Sequence, residues 1–493
     1  GFRHSLIQPY YSLWSNMTVF DPSFYDKSKA ISVNPTTGNP IPGTGDAYNG
    51  VTIPGSSWPD AAKGRVPIAS TGEFDRLFSG GSRSYSQIQK NLIQPRIGMA
   101  YQIDGKTVVR SGIGRYSTRL GVSDSVFLGG NPPLQPIASI PNGSVDNPGG
   151  GSTASFPLSI NTQDPIFKNP EAYNWNLTVE REIGMKTVLE VSYVGRKGLH
   201  GQRERNINQL LPGTRQANPG INENALRPYA GFGPIRITNN ESTSFYQGLQ
   251  LGLNRRFSNG FSYGFAYTLA KSSDSGSAQR DIIPNAYDAS PLWGPSDFDT
   301  RHVAVINFIY ELPFFKNSHG AKRAVLGGWQ VSGVTQFQTG TPGSVATSDD
   351  FAGVGTGSGS QLWQLNGSLS TRGQFTNPGE GISTSYINVP RDANGKQTLY
   401  SQPAAGTFVK DRLRNIMYGP GFQNWNLSAF KNFRIGERVN VQFRADGYNF
   451  INHPNWGGAT GGGLDRNPNS GTFGQVTGKG GERNMQFGLR FGF

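Results

Sequence analysis

The feature that most constrains this chain is the alternation in length of the gaps between its strand-like stretches. Asn91–Ile103 and Lys106–Ser117 are joined by Asp104-Gly105 alone, a strong hairpin signal. Tyr173–Ile183 and Thr187–Gly195 flank a tight turn at Gly184, and Phe245–Phe257 and Phe261–Lys271 flank Ser258-Asn259-Gly260. Arg301–Glu311 and Leu326–Gln338 have a connection shorter than the loops around it, and Arg434-Ile435-Gly436-Glu437 joins Phe422–Phe433 to Arg438–Phe450. With Gly1–Tyr10 at one end and Asn484–Phe493 at the other, this predicts roughly twelve strands of about ten residues, the length of a tilted membrane-spanning strand. The long gaps, rich in Gly, Pro and Ser, fall near 11–90, 118–171, 196–242, 272–299, 339–421 and 451–483. An up-and-down barrel with short turns on one side of a membrane and long loops on the other must alternate in this way. A soluble sandwich or propeller has no such requirement.

The faces of the strands fit the same reading. In the last stretch, NMQFGLRFGF, Met485, Phe487, Leu489, Phe491 and Phe493 share one parity, and Gln486, Gly488, Arg490 and Gly492 the other. Counting back from Phe493 at the periplasmic rim puts every short turn on that side. In the preceding strand Val441, Phe443 and Ala445 oppose Asn440, Gln442, Arg444 and Asp446, while Phe261, Tyr263, Phe265, Tyr267 and Leu269 oppose small and polar residues. Apolar outside and polar toward a wet lumen is the pattern of a transmembrane barrel, although a soluble two-layer sheet would also alternate. Lys106–Ser117 alternates poorly, and its faces are not assigned. Asn174-Trp175-Asn176-Leu177 recurs as Asn424-Trp425-Asn426-Leu427, each at the outer start of an inward-running strand. Trp175 and Trp425 are therefore expected at the outer interface, with the flanking Asn side chains toward the lumen.

Composition permits this and excludes a helical membrane protein. Only 35% of residues are apolar, mean hydropathy is −0.46, and no run approaches the roughly 20 apolar residues of a transmembrane helix. The 67 Gly, 32 Pro, 30 Phe and 19 Tyr favour strands and turns, and the absence of Cys removes disulfides and thiolate chemistry. The net charge of +13 is spread through the chain without a Lys/Arg block, so no nucleic-acid partner is expected. The opening GFRHSLIQPYYSLW has neither Met nor a signal sequence, which leads us to expect a preceding segment.

No catalytic or cofactor constellation is expected. The five His form no HExxH or i, i+4 pair, so no metal set is predicted. Asp297, Asp299, Arg301 and His302 read as a charged network at the rim. Asp274 and Asp281 read as residues of a solvated loop in preference to a carboxylate pair or calcium ligands. Trp58, Trp293, Trp363 and Trp456 lie in the long loops, where they either stack on a ligand or pack the loops together.

The stretches NLIQPRIGMAYQIDGKTVVRSGIGRY, GPSDFDTRHVAVINFIYELPF, FQNWNLSAFKNFRIGERVNVQFRADGYNFINHPNW and the terminal FGLRFGF resemble the C-terminal barrel of TonB-dependent receptors. More narrowly they resemble Oar-like proteins with a carboxypeptidase-regulatory-like domain. The resemblance implies an all-β, antiparallel, up-and-down transmembrane barrel, here about twelve strands of an expected total of about 22, in the outer membrane of a Gram-negative cell. It implies a plug, an N-terminal domain and further strands upstream of residues 1–493. It also implies that the terminal Met485, Phe487, Leu489, Phe491 and Phe493 are read by the barrel-assembly machinery. The implied function is TonB-dependent uptake of a large nutrient, with lipid, the TonB complex acting through the plug and an extracellular ligand as partners, and no enzymatic activity. The alternative is an outer-membrane adhesion or surface-scaffold protein that binds through its loops without transport. The lumenal residues expected from the strand faces are Asn440, Gln442, Arg444, Asp446 and Arg490.

Overall fold

Alternating sequence and tight turns produce one long antiparallel meander. A computed structural model of the chain describes all residues except 122–125, 136–156, 316, 372–383, 436–438 and 458–462. Its principal strands are β1 (Phe2–Ile7), β2 (Gln89–Asp104), β3 (Thr107–Ser117), β4 (Glu171–Gly184), β5 (Thr187–Asn206) and β6 (Phe232–Ser258). They continue as β7 (Phe261–Asp274), β8 (His302–Glu311), β9 (Trp329–Gln338), β10 (Phe422–Ile435), β11 (Val439–Tyr448) and β12 (Asn484–Gly492). Each pairs antiparallel with the next in sequence, so the order along the sheet is the order along the chain. Among the described residues β1 pairs only with β2 and β12 only with β11, leaving the sheet open between them.

The short connections follow turn chemistry. Between β6 and β7, Asn259 (φ 54°) and Gly260 (φ 77°) both adopt the left-handed conformation that lets a two-residue hairpin follow strand twist. Between β4 and β5, Gly184 (φ 97°), Met185 (φ 49°) and Lys186 (φ 61°) all take positive φ. The turn expected at Arg434–Glu437 lies partly outside the described residues. The connection from β8 to β9 carries a short helix, Gly320–Leu326, where the sequence reading began a strand at Leu326. Among the described residues no helix is long and apolar enough to cross a membrane, which says nothing against crossing by strands.

Two strands are much longer than their apolar alternation. β5 was expected to stop at Gly195 and β6 to begin at Phe245, yet they run on to Asn206 and from Phe232. Their extensions carry Arg203, Arg205, Thr238 and Glu241, so the pattern reads as loop. They hold together because Glu241 pairs with Arg203 (2.8 Å) and Arg205 (3.6 Å), and Arg280 pairs with the buried Glu204. Loop segments add parallel strands to this projecting hairpin, Leu158–Gln163 on Phe232–Thr238 and Asp281–Ile282 on Arg203–Glu204.

The buried cores lie in the loops. One packs Val345, Phe351, Trp363, Leu399, Met417, Trp456, Phe473 and Val476 from the segments after β9 and after β11. A second joins Phe20 and Val51 to Leu158, Ile160, Phe232 and Ile235.

Candidate functional site

The sheet presents two chemically different walls, and its loops build a cap at the outer ends of the strands. Across β2 to β12 the ladder aligns Ile97 with Ile113, Ile113 with Trp175 and Leu177 with Tyr193. It continues through Leu189 with Leu253, Leu253 with Phe265, Phe265 with Ile306 and Phe443 with Leu489. Directly opposed residues share a face, so these side chains form one continuous apolar surface. That surface is open: Ile97 is 71% exposed and Phe487 66%. No second layer of protein covers it among the described residues.

The terminal residues take defined places on it. Phe491, Leu489, Phe487 and Met485 oppose Val441, Phe443, Ala445 and Gly447, and Phe443 stacks on Phe487 with centroids 6.5 Å apart. Phe493 lies beyond the last ladder pair and is exposed. Trp175 occupies the same face and lies over Gly195, where an added Cβ would fall within 2.4 Å of the indole; Phe245 closes its other side at 6.1 Å. Trp425 meets Phe337 edge-on at 5.3 Å.

The opposite wall is polar. Asn440, Gln442, Arg444 and Asp446 oppose Gly492, Arg490, Gly488 and Gln486. Asp446 accepts hydrogen bonds from Arg444 Nε and Ser428 Oγ, both at 2.5 Å, while Gln442 donates to Asn432 at 3.1 Å. Arg490 makes no ion pair among the described residues. Farther round, Arg110 pairs with Glu180, and the Thr178 and Ser192 hydroxyls are 2.7 Å apart.

Where this polar wall reaches the cap, a cavity of about 880 Å³ opens between Asn174, Asn176, Arg196, Tyr246, Asp274 and Phe298. Beside it, loops after β7, β9 and β11 enclose about 540 Å³ lined by Asp281, Asp297, Ser344, Ser360, Arg414 and Arg466. Arg414 organises this region. Its guanidinium donates to Asp274 Oδ1 (2.7 Å) and Ser277 Oγ (2.6 Å) and lies 3.3 Å from Asp297. Asn415 donates to Pro295 O at 2.9 Å, and the Tyr418 hydroxyl donates to Asp299 Oδ2 at 2.6 Å. Burial, reinforced by the Asp299 carboxylate, pushes the Tyr418 phenol up to about 12. The DFD of the sequence thus holds loops together, and Asp274 is an ion-pair partner in a buried network. Asp281 accepts from the Ala278 amide at 2.9 Å.

Sequence reasoning did not single out Arg414, Arg466 or Asp350. Arg466 is partly buried and donates to the Met417 and Thr341 carbonyls, at 3.3 and 3.4 Å; burial lowers its pKa and Tyr386 opposes that shift. Burial alone would raise the Asp350 carboxyl, but the Val354 and Gly355 amides, Arg215 and Gln361 hold it below the usual carboxylate value. The partners lie far apart in aperiodic loops, which leaves no signal in the sequence. Trp363 and Trp456 pack inside the loop core, and Trp58 donates to Asp75 while resting on Phe78. His302 Nδ1 meets the Tyr267 hydroxyl at 2.8 Å. Among the described residues no group of three or more His, Cys, Asp or Glu is placed to hold a metal ion. The arrangement is suited to holding a polar solute between a hydrogen-bonding wall and an ordered cap.

Comparison with solved structures finds large outer-membrane proteins at low identity. The outer membrane transporter YddB of Escherichia coli matches at 10% identity with a TM-score of 0.44, over 83% of this chain and 41% of that one. The siderophore receptor PiuA of Acinetobacter baumannii matches at 8% identity and 0.40, over 82% and 36%, and the FrpB iron transporter of Neisseria meningitidis at 12% and 0.39, over 82% and 38%. The chain therefore spans less than half the length of these structures. No curated protein matches it. The family model described as an outer membrane beta barrel domain matches residues 1–486, nearly the whole sequence. The chain belongs to the outer membrane beta barrel domain family, all-β in fold and located in the outer membrane of a Gram-negative cell.

Proposed function

We propose that residues 1–493 form the C-terminal part of the barrel of a TonB-dependent outer-membrane receptor, of the Oar-like kind, that takes up a solute too large to diffuse through a pore. The observation that carries this reading is the division of one twelve-strand meander into an open apolar wall and a polar wall roofed by ordered loops. In a bilayer the apolar wall faces lipid and the polar wall lines the bore. Met485, Phe487, Leu489, Phe491 and Phe493 then form the outward stripe offered to the assembly machinery. Trp175 and Trp425 sit at the outer headgroup level. Asn440, Gln442, Arg444, Asp446 and Arg490 line the bore. An unpaired strand edge is costly in hydrocarbon, so β1 and β12 each need a further strand, which a larger barrel supplies. The plug and the TonB complex act from the upstream part of that receptor, and the ligand is met by the outer loops.

Extraction that requires detergent, with gel mobility that changes on heating, is the expected behaviour; recovery as a water-soluble protein would sink the barrel reading. Transport is tested in cells with and without the gene, supplied with a defined mixture of oligosaccharides and peptides. Depletion that needs both the gene and a proton gradient supports uptake. Adsorption that persists when the gradient is collapsed supports the adhesion or scaffold alternative.

A further inference from the structure

The apolar wall carries cations at both ends, and the two sets are used differently. At the inner end they fold back on the protein. Lys431 donates to the Val325 and Gly327 carbonyls (3.0 and 2.5 Å) and lies over the Trp329 ring, and Arg255 lies over Phe261. At the outer end Arg115 is spent on Glu171, but Lys197 and Lys271 stand exposed, with no ion pair, hydrogen bond or ring contact among the described residues. Lys197 opposes Tyr173 on β4 and Phe245 on β6; Lys271 opposes Gln247, two residues along the same strand as Phe245. The two lysines thus stand on either side of Phe245, beside its contact with Trp175. Strand spacing and rise place their Cα atoms about 12 Å apart, within reach of a common group for two long side chains.

We propose that Lys197 and Lys271 form a clamp for the phosphate groups of an outer-leaflet lipid whose acyl chains lie along Trp175, Leu177, Tyr193 and Leu249. The clamp rests on the reading that this wall faces lipid. Charge complementarity selects the occupant: an apolar surface ending in two unspent ammonium groups fits an amphiphile with an anionic head, because basic residues at a membrane surface are attracted to anionic lipid.

The test titrates the full chain in detergent micelles with diphosphoryl lipid A and with its fully dephosphorylated form. Saturable binding of the phosphorylated lipid alone is expected. It should weaken about tenfold in the Lys197→Ala/Lys271→Ala double variant, recover in Lys197→Arg/Lys271→Arg, and stay unchanged in Lys396→Ala, whose exposed lysine lies in a distant loop. Equal binding by the double alanine variant, or equal binding of the dephosphorylated lipid, overturns the clamp while leaving the barrel intact. A chain that stays in solution without detergent overturns the face assignment and the clamp with it.

Discussion

The sheet and its cap are stabilised in opposite ways. On the sheet the large apolar side chains are the exposed ones. In the cap Phe473 and Trp363 are 1% and 3% exposed, inside a core like that of a soluble protein. The hydrophobic effect holds the cap against water, whereas a lipid-facing side chain gains nothing from leaving hydrocarbon for a protein interior as apolar. What holds the sheet is the ladder, because every backbone group inside a bilayer must be paired. One chain therefore follows two folding rules, and the boundary runs across β5 and β6, whose lower halves are apolar on one face and whose upper halves are tied by ion pairs to the buried Arg203 and Glu204.

This contrast can be broken from either side. The largest effect is expected from Phe473→Ala, which empties the centre of the loop core; about 3–5 kcal/mol should be lost locally. Limited proteolysis should then cleave the segments after β9 and β11 while the heat-modifiable band survives. Loss of that band would mean that the cap and sheet are one cooperative unit. Next comes Leu251→Arg on the apolar wall, expected to cost about 2–4 kcal/mol near the bilayer centre, read by urea titration in lipid vesicles with the cap's protease resistance unchanged. The smallest effect concerns acid. The Asp350 carboxyl is held low in the folded cap, so its contribution is present above the unfolded value, about 3.9, and is lost as pH falls through the lower folded value. Wild-type protein should lose cap protection progressively below about pH 4, and Asp350→Asn should start weaker and show less of that decline. The near-ultraviolet signal of the neighbouring Phe351–Trp363 pair provides the measurement.

The same division explains what the sequence made legible. Twelve strands, their order and the faces of β7, β11 and β12 follow from period-two alternation and from turns such as Ser258-Asn259-Gly260. Alternation is a local signal, and those strands are regular. The upper halves of β5 and β6 were invisible because Arg203 and Glu204 are buried through pairing with Glu241 and Arg280, not through hydropathy. The cap was read only as long gaps. Val345, Trp363, Met417, Trp456 and Phe473 meet without any period, and Arg414 finds Asp274 across 140 positions. The poor alternation of β3 also has a cause: Arg115 sits on its apolar wall, neutralised by a two-pronged pair with Glu171 at 2.8 and 3.1 Å.

Arg414 has one more implication. Its guanidinium ties the loop after β9 to Asp274 at the top of β7 and to Ser277 and Asp297 in the stretch that follows, and neighbouring Asn415 and Tyr418 add ties to Pro295 and Asp299. No one of these strips can swing away without stranding a charge in another, so the mouth must yield collectively or hold still. On the uptake reading proposed above, a solute arriving from outside would meet a shape already made.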